Sequence, residues 1–225
     1  MSVHSAQTLS ATFAAKGFLF DMDGTLIDST PCIERIWQRW AERHGISFAE
    51  IMKVMHGRRG EETIALVAPH LDIQAEQALL IAEELSSLEG TTAISGATEF
   101  LNQLDSEQWA LVTSAPRVLA LAKLAYAGLP LPKYLIGAED VDQGKPSPDP
   151  YLQGAALLNL SAADCIAFED AANGIRSAHA AGSTVIAITV AAGADLTGLA
   201  HVQVSDFKQF TLTQKHPHLF LSVHG

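Results

Sequence analysis

The sequence predicts an α/β protein with a doubly wound parallel sheet, into which an all-helical domain is inserted after the first strand. From residue 96 onward, short apolar strands alternate with helical segments, the pattern of a parallel sheet covered by helices on both faces. Residues 29–95 instead carry helical patterns throughout and contain no strand candidate. We therefore expect an α/β core of residues 1–28 and 96–225 and a helical domain of residues 29–95.

The composition is typical of a globular protein with a strongly negative charge. Hydrophobic residues make up 48% of the 225 residues and charged residues only 17%, which excludes a disordered chain. The formal net charge of -11, from 14 Lys and Arg against 25 Asp and Glu, would repel nucleic acid and acidic membrane surfaces. We expect a small-molecule substrate, no nucleic-acid or membrane partner and, since no segment resembles an oligomer interface, a monomer.

The cysteines and the N-terminal segment favour a cytoplasmic protein. Cys32 and Cys165 fit no metal-ligand spacing and are too few for a disulfide framework, so free thiols are expected. Residues 1–15 lack the cationic start and apolar stretch of a signal peptide, and no apolar run has the length of a membrane span. We expect residues 1–15 to form a flexible extension or a short helix.

The first half of the chain is expected to contain one strand and four helices. Residues 17–20 form an apolar run typical of a strand buried on both faces. The next helix begins at Pro31, a residue favoured at the first helical position, and ends at Gly45. Its apolar residues recur at helical spacing and are Ile33, Ile36, Trp37, Trp40 and Ala41. Further helices are predicted at 48–55, 61–71 and 74–88, with flexible hinges at 26–30 and 90–96.

The second half of the chain is expected to complete the sheet. The predicted strands are 109–113, 134–137, 165–169, 184–188 and 202–204. The predicted helices are 97–104, 116–127, 149–158 and 171–181, and several of them have proline in front and glycine behind. Residues 214–225 carry three histidines without ligand spacing, so we expect a tail with surface histidines there rather than a metal site.

Four polar clusters follow predicted strands and meet at the carboxyl edge of the sheet, where open α/β sheets bind ligands. They are DMDGT at 21–25, TS at 113–114, GKP at 144–146 and ED at 169–170. Taken singly, each cluster also fits a solvated turn, a helix cap or a surface loop. Together they supply carboxylates for a cation, hydroxyl groups for phosphate oxygens and a lysine that offsets negative charge. This combination predicts phosphoryl transfer.

The same clusters carry a family resemblance when they are read with their neighbours. The segments FDMDGT at 20–25, TS at 113–114, GKPSPDPY at 144–151 and FEDAANG at 168–174 resemble the four ordered motifs of the haloacid dehalogenase (HAD) superfamily. The match covers residues 17–210, and the helical insert resembles the type 1 cap of subfamily I. The resemblance implies a HAD-like core with an inserted helical cap domain.

The resemblance also implies catalytic and metal-binding roles. Asp21 would be the nucleophile that forms an aspartyl-phosphate, and Asp23 would protonate the leaving alcohol and then activate water. A Mg²⁺ ion would be held by Asp21, by the backbone carbonyl of Asp23 and by Asp170, with Glu169 helping directly or through another ligand. The phosphoryl oxygens would be bound by Thr113, Ser114 and Lys145.

Two positions favour a phosphatase over other members of the superfamily. With Thr25 this chain resembles the phosphatases of the superfamily, whereas the β-phosphoglucomutase branch usually has valine at that position. That branch also has a histidine where this chain has Ile33. Dehalogenases lack the second aspartate that Asp23 supplies. After Thr113 and Ser114, however, relatives often have glycine, and this chain continues with APR.

The cap loop at 56–60 is expected to select the substrate. Its sequence HGRRG is similar to the cap loop of sugar and polyol phosphatases of the 2-deoxyglucose-6-phosphatase and glycerol-phosphatase types, and its candidate contacts are His56, Arg58 and Arg59. A solvated basic turn is the alternative for this loop. We therefore expect a cytoplasmic, Mg²⁺-dependent sugar or polyol phosphatase. The alternatives are a phosphosugar mutase of the β-phosphoglucomutase type and a non-catalytic regulatory or binding protein on the same fold.

Overall fold

A computed structural model describes residues 11–224 and contains eleven strands and eight α-helices in that range. The strands are β1 (Ala11–Ala15), β2 (Gly17–Phe20), β3 (Ile27–Asp28), β4 (Thr92–Ala93), β5 (Trp109–Val112), β6 (Tyr134–Ile136), β7 (Cys165–Glu169), β8 (Thr184–Ile188), β9 (Val202–Val204), β10 (Phe210–Lys215) and β11 (His218–Val223). The helices are α1 (Thr30–His44), α2 (Phe48–Met52), α3 (Gly60–Val67), α4 (Ile73–Leu85), α5 (Ala97–Leu101), α6 (Arg117–Tyr126), α7 (Asp149–Leu157) and α8 (Ala172–Ala180).

The main sheet is parallel and six-stranded, as the sequence predicts, with the strand order β6-β5-β2-β7-β8-β9. Every residue of β2, β5 and β7 is buried, which explains why these strands read as continuous apolar runs. In the register, Phe20 lies beside Leu111 of β5 and Phe168 of β7. The carboxyl end of β2 therefore lies at the centre of the sheet, between two neighbours that end at the same level.

The two faces of this sheet are packed differently. On one face the rings of Phe20 and Phe168 stack with their centroids 4.6 Å apart, and Phe100 and Phe207 surround them. The other face carries smaller side chains beneath α7, where a Cβ added to Gly154 would come within 2.7 Å of the Val112 side chain. Close packing on both faces fixes the strand ends, so the side chains that follow them are held in place.

The inserted helices pack around their own apolar cluster, which is separate from the two clusters on the faces of the sheet. Helix α1 ends where predicted, because Gly45 adopts the left-handed conformation with φ of 65°. The helices α2, α3 and α4 all end earlier than their apolar patterns predict, at Met52, Val67 and Leu85. The domain limits at 28/29 and 95/96 stay a prediction with which this separate cluster agrees.

The two crossings between the core and the insert are hydrogen-bonded to each other. Strands β3 and β4 pair antiparallel, with Ile27 opposite Ala93 and Asp28 opposite Thr92. The predicted hinges at 26–30 and 90–96 therefore contain paired strands, and their flexibility stays a prediction. The chain leaves and re-enters the core side by side, so each crossing satisfies backbone groups of the other.

The expectation of a flexible extension or a short helix at residues 1–15 was wrong within the described residues, and the chain end at 214–224 contains strands that were not predicted. Residues 11–15 form β1, which pairs antiparallel with β11, and β11 pairs with β10 in a three-stranded sheet. Leu219, Leu221 and Val223 alternate with less buried neighbours along β11, which is the pattern of a strand with one face on the core. Residues 1–10 lie outside the described range. Near the other chain end, His216, His218 and His224 are exposed, as expected.

Residues 11–224 contain no helix with both the length and the apolar character that a membrane crossing requires.

Truncation of Leu221 tests the C-terminal strands. Leu221 is fully buried between Phe13 and Leu212 in the register, so we expect Leu221→Ala to lower the free energy of unfolding by about 3 kcal/mol. Urea unfolding measures this loss, and Leu131→Ala is the control because Leu131 is 56% exposed. Equal effects of the two substitutions would contradict the packing of β11 on the core.

Candidate active site

The four polar clusters meet at the carboxyl edge of the main sheet. Asp21 follows β2, and its amide donates a 3.0 Å hydrogen bond to the carbonyl of Phe168. Thr113 follows β5, and its amide donates a 2.9 Å hydrogen bond to the carbonyl of Ile136. Glu169 is the last residue of β7. The edge opens into a cavity of about 490 Å³ that the inserted helices cover from the other side.

Lys145 is the centre of the buried charges at this edge. Its Nζ donates to Asp21 Oδ1 at 2.6 Å and to Glu169 Oε1 at 2.5 Å, and the lysine is only 2% exposed. The hydroxyl of Tyr151 donates to the same Glu169 oxygen at 2.7 Å. Burial alone lowers the pKa of Lys145, but the two carboxylates outweigh it and hold the pKa above its ordinary value. Lys145 is therefore a fixed positive charge.

Three carboxylates crowd around this lysine. Oxygens of Asp21, Glu169 and Asp170 lie within 4.8 Å of one another. Burial, and then the charge of Glu169, raise the pKa of Asp21 to about 7, and burial and the charge of Asp21 raise the pKa of Asp170. One lysine does not compensate three carboxylates, and hard oxygen donors in such a cluster fit Mg²⁺. The side chain of Asp23 lies outside this cluster, and the use of its backbone carbonyl to bind Mg²⁺ stays a prediction.

Two glycines leave the space that these carboxylates occupy. Gly24 has a φ of 87°, and a Cβ built there would lie 1.9 Å from Asp170 Oδ2. A Cβ built on Gly174 would lie 1.8 Å from Glu169 Oε1. Any larger residue at either position would displace a carboxylate of the cluster, which explains the glycines in the first and fourth motifs.

Asp23 lies beside the cavity and is held through one oxygen. Its Oδ1 accepts a 2.9 Å hydrogen bond from Lys123 Nζ and a short one from the Ser29 hydroxyl. Lys123 also forms an ion pair with Glu84 on α4 of the cap. Burial alone lowers the pKa of Lys123, but Asp23 and Glu84 more than offset it and hold the pKa above its ordinary value.

The loop after β5 contacts both the cavity and the cap. Ser114 lines the cavity, and its hydroxyl donates to the carbonyl of Gly57 in the cap loop at 3.2 Å. Thr113 Oγ1 accepts from the amide of Ala115 at 3.1 Å, which stabilises the turn before α6. Arg117 points away from the cavity, because its guanidinium binds Asp140 at 2.6 Å. The APR sequence thus leaves Ser114 facing the site.

The structure separates the two arginines of the cap loop. His56 and Arg58 line the cavity, and their contact with substrate stays a prediction. Arg59 does not: its guanidinium binds Glu62 and donates to core carbonyls, those of Ala138, Val141 and Asp142, at 3.3 to 3.4 Å. We predicted that Arg59 contacts substrate, but its side chain instead joins the cap to the core.

Sequence reasoning missed three contacts of the site. Tyr151 on α7 binds Glu169, Ser29 binds Asp23, and Lys123 lies buried between Asp23 and the cap. For Lys123 a signal was present in the sequence. It shares the buried face of α6 with Leu119, Ala120 and Leu124, and a lysine on an apolar helix face needs a buried partner.

Comparison with protein-family models agrees with this geometry. The model described as haloacid dehalogenase-like hydrolase matches residues 15–182, which include all four polar clusters. The chain belongs to the haloacid dehalogenase-like hydrolase family. The predicted family and the predicted α/β core with a helical cap are thereby confirmed.

Relatives of this HAD-like hydrolase include phosphatases of polyols. Hexitol phosphatase A of Escherichia coli (strain K12) is 40% identical over 205 residues, which cover 89% of this chain and 95% of the relative. Glycerol-1-phosphate phosphohydrolase 2 of Saccharomyces cerevisiae is 36% identical over 185 residues, 76% of this chain and 73% of the relative. The crystal structure of a hydrolase from Pseudomonas syringae superposes with a TM-score of 0.72 at 25% identity, covering 86% of this chain and 94% of that chain.

Removal of one carboxylate tests whether the carboxylate cluster of this HAD-like hydrolase binds a metal ion. We expect Mg²⁺ at about 100 times its Kd to stabilise the wild type by about 2.7 kcal/mol, and Asp170→Asn to lose most of this gain. Without metal, Asp170→Asn should melt higher than the wild type, because it relieves repulsion from Asp21 and Glu169. Thermal melts with and without Mg²⁺ measure both effects.

The pH dependence of these melts gives a further check. Because the pKa of Asp21 is raised to about 7 in the folded protein, the metal-free protein should lose stability as pH rises toward that value. The stabilisation by Mg²⁺ should therefore grow with pH, since protons and metal compete for the same oxygens. Asp105→Asn, which removes an exposed carboxylate, is the control. An unchanged Mg²⁺ response in Asp170→Asn would contradict the site.

Proposed function

We propose that this HAD-like hydrolase is a Mg²⁺-dependent phosphatase that hydrolyses small phosphorylated sugars or polyols through an aspartyl-phosphate. The observation that carries the proposal is the buried contact of Lys145 with Asp21 at the floor of the cavity, with Asp23 beside it. Asp21 and Asp23 both line this cavity, and Lys145 supplies a fixed positive charge in contact with Asp21. These are the groups that transfer of a phosphoryl group requires.

In the first step Asp21 attacks phosphorus with a carboxylate oxygen while the bond to the ester oxygen breaks. Asp23 donates a proton to the departing alcohol, and the product remaining on the protein is the aspartyl-phosphate. In the second step Asp23 takes a proton from water, which attacks phosphorus and releases phosphate from Asp21.

The remaining polar groups bind and orient the phosphoryl group. Lys145 and Ser114 would hold its oxygens, and Thr113 stabilises the turn that presents Ser114. Asp21, Asp170, Glu169 and the backbone carbonyl of Asp23 would hold Mg²⁺, which supplies positive charge for the phosphoryl oxygens when it is bound. Tyr151 keeps Glu169 in place through its hydroxyl.

The cavity supports a sugar or polyol as the alcohol part of the substrate. Its cap side combines polar side chains, among them His56, Arg58 and Gln77, with the apolar surface of Trp37. Hydroxyl groups of a polyol pair with such donors and acceptors, while its carbon chain packs on the apolar surface. The names of the two phosphatase relatives favour the same substrate class.

The alternatives have less support. A mutase of the β-phosphoglucomutase type would have a histidine where Ile33 lines the cavity. A non-catalytic protein would have no need for the complete set of Asp21, Asp23 and Lys145. The cytoplasmic location, the monomeric state and the lack of nucleic-acid partners stay predictions.

Phosphate release from a substrate panel tests the proposal. We expect Mg²⁺-dependent release of inorganic phosphate from hexitol, hexose and glycerol phosphates and from p-nitrophenyl phosphate, measured colorimetrically. A chelator should remove the activity and added Mg²⁺ should restore it. Formation of an isomeric sugar phosphate without free phosphate would instead favour the mutase, and no turnover of any compound would refute both enzymatic proposals.

Replacement of the nucleophile tests the assigned chemistry. Asp21→Asn should lower kcat by at least about 1000-fold, because an amide oxygen does not form the covalent intermediate. Steady-state kinetics on p-nitrophenyl phosphate measure the loss, and Asp105→Asn provides the control for removal of an exposed carboxylate. Full turnover by Asp21→Asn would exclude Asp21 as the nucleophile.

A further inference from the structure

Lys123 is a buried lysine outside the four motifs that touches both the core and the cap. It lies on α6 and is 1% exposed. Its Nζ donates to Asp23 Oδ1 at 2.9 Å and also pairs with Glu84 Oε1. One ammonium group thus connects an acidic residue of the site to a helix of the cap.

Both partners of this lysine are themselves shielded from solvent. The side chains of Asp23 and Glu84 are 28% and 15% exposed. A buried lysine is costly to desolvate unless carboxylates accept its hydrogen bonds, so the three groups depend on one another. If α4 moves away from α6, Lys123 loses one of its two partners.

The cap also reaches the same oxygen of Asp23 by a second route. The Ser29 hydroxyl donates to Asp23 Oδ1, and Ser29 directly follows β3, where the chain crosses from the core into the cap. Within residues 11–224, Oδ1 takes both side-chain hydrogen bonds of Asp23, and Oδ2 takes none. The orientation of the carboxyl group is therefore set from one side, by two contacts that both involve the cap or its linker.

We infer that Lys123 is a positioning residue for the proton transfer by Asp23, and that Glu84 makes this positioning depend on the cap. The inference rests on the proposed function, in which Asp23 protonates the leaving alcohol. When the cap lies over the cavity, Glu84 and Ser29 complete the contacts that orient Asp23. Proton transfer is then coupled to enclosure of the substrate, because Asp23 is poorly oriented while the site is open to water.

The leaving group of the substrate separates this role from a structural one. An alkoxide from a polyol phosphate is a poor leaving group and needs the proton from Asp23, whereas p-nitrophenolate leaves without one. The value of kcat/KM reports on the steps up to departure of the leaving group. A misplaced Asp23 should therefore lower kcat/KM for the polyol phosphate much more than for p-nitrophenyl phosphate.

The experiment compares Lys123→Met, Lys123→Arg and Glu84→Gln in the full chain with Mg²⁺. We expect Lys123→Met to lower kcat/KM for a hexitol phosphate by roughly 100-fold and for p-nitrophenyl phosphate by less than about fivefold. Lys123→Arg, which keeps the charge and the donors, should recover part of the loss. Glu84→Gln should show a smaller loss with the same selectivity, and the double variant should be no worse than Lys123→Met alone.

Three controls make each outcome decisive. Asp23→Asn gives the selectivity of a protein without the acid, and Lys133→Met removes an exposed lysine that pairs with Glu107. Circular dichroism and thermal melts check folding; if Lys123→Met does not fold, Lys123→Arg and Glu84→Gln carry the test. Equal losses on both substrates, or no loss on either, would overturn the inference. A wild type inactive on both substrates would instead refute the proposed function.

Discussion

The contact of Lys145 with Asp21 and Glu169 is the interaction on which the site depends. The fold places three carboxylates close together at the ends of the neighbouring strands β2 and β7, and their mutual repulsion opposes this arrangement. The ammonium group of Lys145, itself only 2% exposed, offsets part of that charge and fixes two of the carboxylates. Removing one partner of such a buried pair typically costs about 3 to 5 kcal/mol of folding free energy. The carboxylates at the sheet edge therefore require the lysine, and the buried lysine requires the carboxylates.

The cap and the core are joined by polar contacts that surround the cavity. Arg59 donates to carbonyls of the core, Ser114 donates to the cap loop, and Lys123 pairs with Glu84. These contacts involve charged or hydrogen-bonding groups rather than a shared apolar core, since the cap has its own apolar cluster. Polar contacts of this kind exchange with water at modest cost, so they would permit the cap to open for substrate.

The core and the motif residues could be predicted because their signals are local. Buried parallel strands read as apolar runs, and the polar residues directly after them fall at the carboxyl edge whatever the loops do. Lys123 and Asp23 are 100 residues apart in sequence, so no local pattern reveals their contact. The strand β1 was missed for the same reason, because its partner β11 lies at the other end of the chain. The adjacent Arg58 and Arg59 look alike in sequence, and only the backbone direction of the loop sends one to the cavity and the other to the core.

The central claim is that Asp21 carries the phosphoryl group between the two steps. The direct measurement uses the Asp23→Asn variant with Mg²⁺ and p-nitrophenyl phosphate, a substrate that needs no acid for its first step. After an acid quench, mass spectrometry of the peptides locates any phosphoryl group on the protein. The account predicts phosphate on Asp21, because Asp23→Asn lacks the base that activates water. Phosphate on another residue such as Ser114, or on none despite release of p-nitrophenolate, would contradict it.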